Sequence, residues 1–165
     1  MQLRALFSLL GSSLRNRSRP FVALGTLISA PALIGAAPGA TGTDVHVTVT
    51  GLRSHEGVVR ACMTTVKERF PKCQAVAGSH RLVLPAGEPL VLAFEGVAPG
   101  RYAIALLHDE NENGTADRAA FMIPKEGFGF SRDAKVRMGP PSFDAAAFEV
   151  GSTPVRQTIR MRYML

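Results

Sequence analysis

The chain has 165 residues, with nineteen Lys and Arg against thirteen Asp and Glu, no Trp, and a formal net charge of +6. Four of the arginines, Arg4, Arg15, Arg17 and Arg19, fall in the first 37 residues, which hold no acid, so the rest stands at fifteen basic against thirteen acidic residues, or +2. Nucleic-acid binding calls for a basic surface with stacking aromatics, and a near-neutral chain without Trp excludes it.

The first 37 residues follow the order of a secretory signal peptide. The arginines form the n-region, an apolar stretch runs from Phe21 to Ala37, and small residues supply cleavage sites at Ala30-Pro31-Ala32, Gly35-Ala36-Ala37 and Ala37-Pro38-Gly39. An anchor helix needs about 20 predominantly apolar residues. This run is shorter and is interrupted by Gly25, Pro31 and Gly35, so cleavage is expected. Arg17-Ser18-Arg19 is not a twin-arginine pair, which favours the general secretory route. Residues 38–43 read as a short flexible linker and 44–165 as a single domain, of the usual size for one. The expected location is periplasmic or secreted, with the membrane met only through the signal peptide during export. Cys62 and Cys73 are the only cysteines, and in an oxidising compartment such a pair reads as a disulfide. Closing so short a loop contributes about 2.5–3 kcal/mol.

The first extended run has Val45, Val47 and Val49 alternating with His46, Thr48 and Thr50, and Gly51 ends it. A second runs from Val58 to Thr65 after a turn at Glu56-Gly57, and the two are expected to form a hairpin. Lys67 to Ser79 is polar and irregular, with room for one helical turn, and holds Cys73. Arg81 to Leu84 reads as a short strand, and Leu90, Leu92 and Phe94 alternate on another. Pro99-Gly100 is expected to form a type II turn, with a positive dihedral at the glycine. It leads into Arg101–His108, where both faces of Tyr102 to Leu107 are apolar, as in a strand covered on both sides. Phe128 and Phe130 between Gly127 and Gly129 suggest a close-packed loop that buries rings. In Phe143 to Val150, Ala145-Ala146-Ala147 favours helix, whereas Phe148 and Val150 favour strand. The final strand puts Val155, Gln157, Ile159, Met161 and Tyr163 on one face and Arg156, Thr158, Arg160 and Arg162 on the other. About seven short strands without strand–helix alternation predict an all-β antiparallel sandwich.

The segment with the most specific chemistry is Asp109-Glu110-Asn111-Glu112-Asn113-Gly114-Thr115-Ala116-Asp117. Oxygen-bearing side chains at positions one, three, five and nine, with Gly at six, form the front of a calcium loop. Asp109, Asn111, Asn113 and Asp117 are the side-chain ligands this predicts, and Thr115 offers its backbone carbonyl. Position twelve is Ala120, where a helical hand has a bidentate Glu, so a further carboxylate must come from elsewhere, with Glu126 and Glu110 the candidates. A strand before the loop and no amphipathic helix after it rule out an EF-hand. The competing reading is an Asx-rich turn without metal, since Asn and Asp bond their own backbone and tolerate left-handed conformations. The histidines show no zinc-ligand spacing, and Ser131 and Ser142 lie in no nucleophile elbow.

Four blocks carry a family resemblance. They are Pro99-Gly100-Arg101-Tyr102-Ala103, the run His108 to Gly114 followed by Asp117, Ile123 to Ser131, and Gly139 to Phe148. Together they resemble a bacterial exported family, domain of unknown function 2141, over nearly all of the chain after the signal. The chain departs from it at Ala119-Ala120-Phe121-Met122, where the family usually has a Gly before the Pro-x-Glu block. The resemblance implies an exported sandwich of the immunoglobulin-like or prealbumin-like kind and carries over no activity.

The first functional reading is a non-enzymatic, exported binding or structural module with calcium as its cofactor and an envelope or extracellular ligand as its partner. A second is a metal-free module for envelope carbohydrate or protein, with Phe121, Phe128 and Phe130 as its contact rings. A third is a prealbumin-like hydrolase. Such enzymes carry a C-terminal Tyr-Arg-Gly-Ser block, and the ending Arg160-Met161-Arg162-Tyr163-Met164-Leu165 counts against it. Mass spectrometry of the protein released by an expressing cell is expected to give an N-terminus just after one of the three small-residue sites; an intact Met1 in the membrane fraction overturns the signal reading.

Overall fold

The computed structural model describes residues 42–73, 76–119 and 123–165. The expected signal peptide, most of the linker, Ala120 and Phe121 lie outside them. Among the described residues, eight strands form two sheets: β1 Thr43–Thr50, β2 Val58–Thr64, β3 His80–Pro85, β4 Leu90–Val97, β5 Gly100–Asp109, β6 Gly127–Phe130, β7 Phe148–Val150 and β8 Val155–Arg160. One sheet has the order β4-β1-β8, and the other β3-β2-β5-β6 with β7 also paired to β5. The protein is a β-sandwich, as expected. Every pair within the sheets is antiparallel except β1–β8, which runs parallel from Val45↔Val155 to Thr50↔Arg160.

The core lies between the sheets and follows the period-2 pattern. Val45, Val47, Val49, Leu92, Phe94 and Ile159 face Val59, Ala61, Met63, Ile104 and Leu106, all buried. Complete burial of such a side chain is worth about 1.5–3 kcal/mol, so the alternating valines of β1 account for much of why it stays between two neighbours.

Four expectations at this level need correction. First, β1 and β2 do not form a hairpin: β1 pairs with β4 and β8, and β2 with β3 and β5. Residues 51–57 carry the chain from one sheet to the other. Gly57 sits there at φ 67°, where a Cβ would run into the Asp109 carbonyl. Second, the positive dihedral near Pro99-Gly100 belongs to Gly96, at φ 60°, while Gly100 opens β5. Gly96 lies in an irregular stretch of the β1–β4 ladder, and its N–H donates to Asp44 Oδ1 at 3.2 Å. Third, Gly127 to Phe130 is strand β6, its register Ala105↔Phe130 and Leu107↔Phe128. Its glycines exist for packing: a Cβ on Gly127 would meet the Tyr163 ring, and one on Gly129 would meet Ile159 and Met161. Fourth, β1 begins at Thr43, which is 6% exposed, so the sheet takes in the last residue assigned to the expected linker.

The mixed segment 143–150 is both things in turn. Helix α1, Phe143–Ala146, starts at Ser142, whose Oγ accepts from the Ala145 N–H at 3.3 Å, and β7 follows one residue after it. α1 closes a second, smaller core on the outer face of the five-stranded sheet, where Ala103 and Phe130 pack with Ala134, Phe143, Ala146 and Ala147. Ser131 is fully buried beneath it. Its Oγ accepts from the Ile104 N–H at 2.9 Å and donates to the Ala146 carbonyl at 2.6 Å, extending the β5 contacts beyond the end of β6.

Cys62 and Cys73 are bonded, with their Cα atoms 6.1 Å apart, so the bridge ties the irregular 67–73 segment to the outer face of β2. No helix among the described residues is long and apolar enough to cross a membrane. Replacing both cysteines by serine is expected to lower stability by about 2.5–3 kcal/mol in urea unfolding, with the cooperative transition retained; an unchanged midpoint counts against a structural bridge.

Candidate functional site

Strand β5 ends at Asp109, whose side chain is fully buried although it carries a charge. Burial alone would raise its pKa, but hydrogen bonds outweigh that and the carboxyl stays below its usual range. Its Oδ2 accepts from Arg60 Nε at 2.5 Å and from the Gly114 N–H at 2.9 Å, and its Oδ1 from the Asn113 N–H at 3.0 Å. One buried carboxylate thus folds the loop back over the end of its own strand. The left-handed residues this needs are Glu112, at φ 58°, and Gly114, at φ 76°.

The other expected ligands continue the same network. Asn111 Oδ1 accepts from the Asn113 N–H at 3.2 Å, and Asn113 Oδ1 accepts from the N–H and the hydroxyl of Thr115 at 2.8 and 2.7 Å. The amides of Asn111 and Asn113 both donate to Asp117 Oδ2, at 2.9 and 3.0 Å, and these bonds lower the Asp117 pKa. Across the loop, Glu126 Oε2 accepts from the Asp117 N–H at 3.0 Å. Its other oxygen, Oε1, is buried without a hydrogen-bond partner. Burial raises the Glu126 pKa, and the charges of Asp109, Asp117 and Glu110 raise it further.

Asp109, Asn111, Asn113, Thr115 and Asp117 therefore share one hydrogen-bonded loop, and Glu126 joins it from outside through the Asp117 N–H. The structure links them chiefly through amide and hydroxyl donors. Among the described residues, no three Asp, Glu, His or Cys side chains converge closely enough to hold an ion by themselves.

Glu110 points away from this network. Arg53 holds it from three nitrogen–oxygen contacts, with Nε at 3.1 and 3.2 Å and Nη2 at 2.5 Å, and Ser54 Oγ donates to it at 2.7 Å. The Arg53 hydrogen bonds bring the Glu110 pKa from an ordinary 4.5 down to about 2. Arg53 also donates to the carbonyls of Lys125 at 2.9 Å and Leu165 at 2.7 Å, and its guanidinium lies 4.6 Å from the centre of the Tyr163 ring. His108, one residue before the loop, is a core residue rather than a ligand. It is fully buried, with Nδ1 2.7 Å from the Tyr163 hydroxyl and Nε2 2.9 Å from the Glu56 carbonyl. The carbonyl requires a proton on Nε2, so in the neutral ring Nδ1 accepts from Tyr163.

Arg53, Arg60 and Tyr163 are absent from the sequence-based site. Arg60 had a readable sign, because it stands at an outward position of β2 among Val58, Val59 and Ala61. Arg53 and Tyr163 gave none, since their partners are set by the crossing of chain segments far apart in sequence.

Fold and loop together define a small two-sheet β module with an Asx-rich loop closing one end. The chain belongs to a family described as an uncharacterized protein conserved in bacteria, domain of unknown function 2141, which it matches over residues 47–158. Neither the curated proteins nor the solved structures give a match.

A carboxyl whose folded pKa is depressed stabilises the fold above its unfolded value, and that contribution is lost as pH falls toward the folded value. For Glu110 the window runs from 4.5 down to about 2. In chelator, Glu110→Gln is expected to lower stability at neutral pH and to flatten the acid limb of the stability–pH curve in that window. An acid limb unchanged by the substitution removes Arg53–Glu110 from the account.

Proposed function

We propose that the protein is an exported, non-enzymatic binding module whose Asp109–Asp117 loop is completed by calcium, with Glu126 as the carboxylate from outside the loop. The observation that carries this reading is the unpartnered, buried Oε1 of Glu126, whose other carboxylate oxygen accepts from the Asp117 N–H of the loop. A buried acceptor without a donor costs about 1–3 kcal/mol, more if charged, and a hard cation satisfies it. The spacing of Asp109, Asn111, Asn113 and Asp117, with Gly114 at the tight position, suits the same ion.

In this reading Asp109, Asn111, Asn113 and Asp117 would supply side-chain oxygens to the ion, and Thr115 its backbone carbonyl. Export is supported by the order of charge, apolar run and small residues in the first 37 positions, and the Cys62–Cys73 bridge suits an oxidising compartment. Calcium is plentiful there, so an affinity of about 10⁻⁴–10⁻³ M, as in other extracellular modules, is sufficient.

Thermal unfolding in calcium, magnesium and chelator tests the loop. For a site of about 10⁻⁴ M, calcium at roughly 10 mM stabilises the native state by about 2.7 kcal/mol. Magnesium is expected to do much less, because it demands a tighter octahedron. Glu126→Gln keeps the shape and removes the charge, so it is expected to hold the midpoint in chelator and to lose the calcium response. No shift in calcium for the unsubstituted protein sinks the proposal.

A further inference from the structure

The outer face of the five-stranded sheet is covered only in part. Its side chains stand in two adjacent rows set by the register, Arg81-Cys62-Ala105-Phe130 and Val83-Arg60-Leu107-Phe128. The α1 segment covers the Phe130 end. The rest is the floor of a groove of about 1160 Å³, walled on one side by Arg118 and Pro124 of the loop region and on another by residues 136–140. That volume exceeds the roughly 300–1,000 Å³ usual for a compact small-molecule cleft.

Two properties of the groove stand out. The first is apolar exposure. Five large hydrophobic residues are exposed among the described residues, and three of them, Val83 at 54%, Met138 at 104% and Met164 at 46%, line this one groove. Gathered exposed apolar surface marks a binding site, whereas scattered single residues do not. The second is charge. Arg60, Lys72, Arg81, Arg118 and Arg137 line the groove, against a single acid, Glu126, which is 4% exposed. Arg60 is engaged with Asp109. The other four form no ion pair among the described residues, and the positions outside them contain no Asp or Glu.

We propose that this groove binds a free long-chain fatty acid, its chain over Leu107, the disulfide and Phe128 and its carboxylate against the arginine rim. An apolar floor within an uncompensated cationic rim matches an apolar chain ending in an anion. The same charge disfavours other occupants. A second copy docking face to face would set cations against cations, and the chain's first 41 residues carry four arginines and no acid. The exposed Val83, Met138 and Met164 would also suit an anionic bilayer surface, which the vesicle arm of the test separates from a fatty acid held on the floor at Leu107 and Phe128. The proposal names a ligand for the binding module put forward above and does not depend on calcium.

The test uses the purified protein in chelator, with undecanoate carrying a dansyl group at its far end as the probe. Expected is a saturable fluorescence rise with one site per chain, reversed by oleate and about tenfold less effectively by oleyl alcohol. Arg81→Glu with Arg118→Glu is expected to weaken probe binding by about tenfold or more with an unchanged thermal midpoint, and Arg156→Glu, on the other sheet, to leave it unchanged. No saturable signal, equal competition by the alcohol, or indifference to the double substitution overturns the proposal. So does sedimentation with phosphatidylglycerol vesicles without probe uptake, which assigns the face to a membrane surface. Because every arm is run without calcium, a failed calcium shift leaves this result standing, and the reverse also holds.

Discussion

The structure depends on one strand whose middle is apolar on both faces. β5 turns Tyr102, Ile104, Leu106 and His108 into the main core and Ala103, Ala105, Leu107 and Asp109 to the opposite side, and all eight are buried or half-buried. A strand of that kind demands a layer on each side. The three-stranded sheet supplies the inner layer. The outer one is assembled from pieces: α1 and its neighbours over Ala103, the loop after Asp109 over the far end, and between them the open floor at Ala105 and Leu107. Loop and groove are thus two results of the same incomplete outer layer.

Arg60 stands where the two meet. Its Nε is committed to the buried Asp109 carboxylate, and its stem lies among the floor residues of the groove. A carboxylate at the end of a central strand would be costly without such a partner, and the two loop amides complete its satisfaction. Arg53 does the equivalent at the outer edge, joining Glu110, Lys125, Leu165 and the Tyr163 ring. Its contacts are exposed enough that each contributes little alone; their combination fixes where the end of the chain lies.

Alternation along the chain revealed faces but not partners. Val45, Val47 and Val49 were legible as one buried face, and Tyr102 to Leu107 as doubly covered. Nothing in either run said that the first would neighbour β8 rather than β2, because pairing follows from how Gly51 to Gly57 crosses between layers. β6 was misread as a loop for a physical reason. Glycine is poor in strands, and its presence at 127 and 129 answers to Tyr163, Ile159 and Met161, which approach from distant sequence. The Asx loop was the most legible part of the site because its contacts are mostly local, spanning Asp109 to Asp117, with Arg60 and Glu126 reaching it from beyond. The groove was hidden, since its cations come from β2, β3 and three separate loops and share no motif.

The parallel pairing of β1 with β8 has a consequence for how the molecule comes into being. Val45 lies beside Val155, more than a hundred positions away. Contacts of such separation form slowly, since the closure entropy of a long loop precedes any gain. The three-stranded sheet cannot be finished from one end of the chain to the other as it emerges. Its middle strand precedes β8 by more than a hundred residues, so one flank of β1 stays without its partner until that strand is in place.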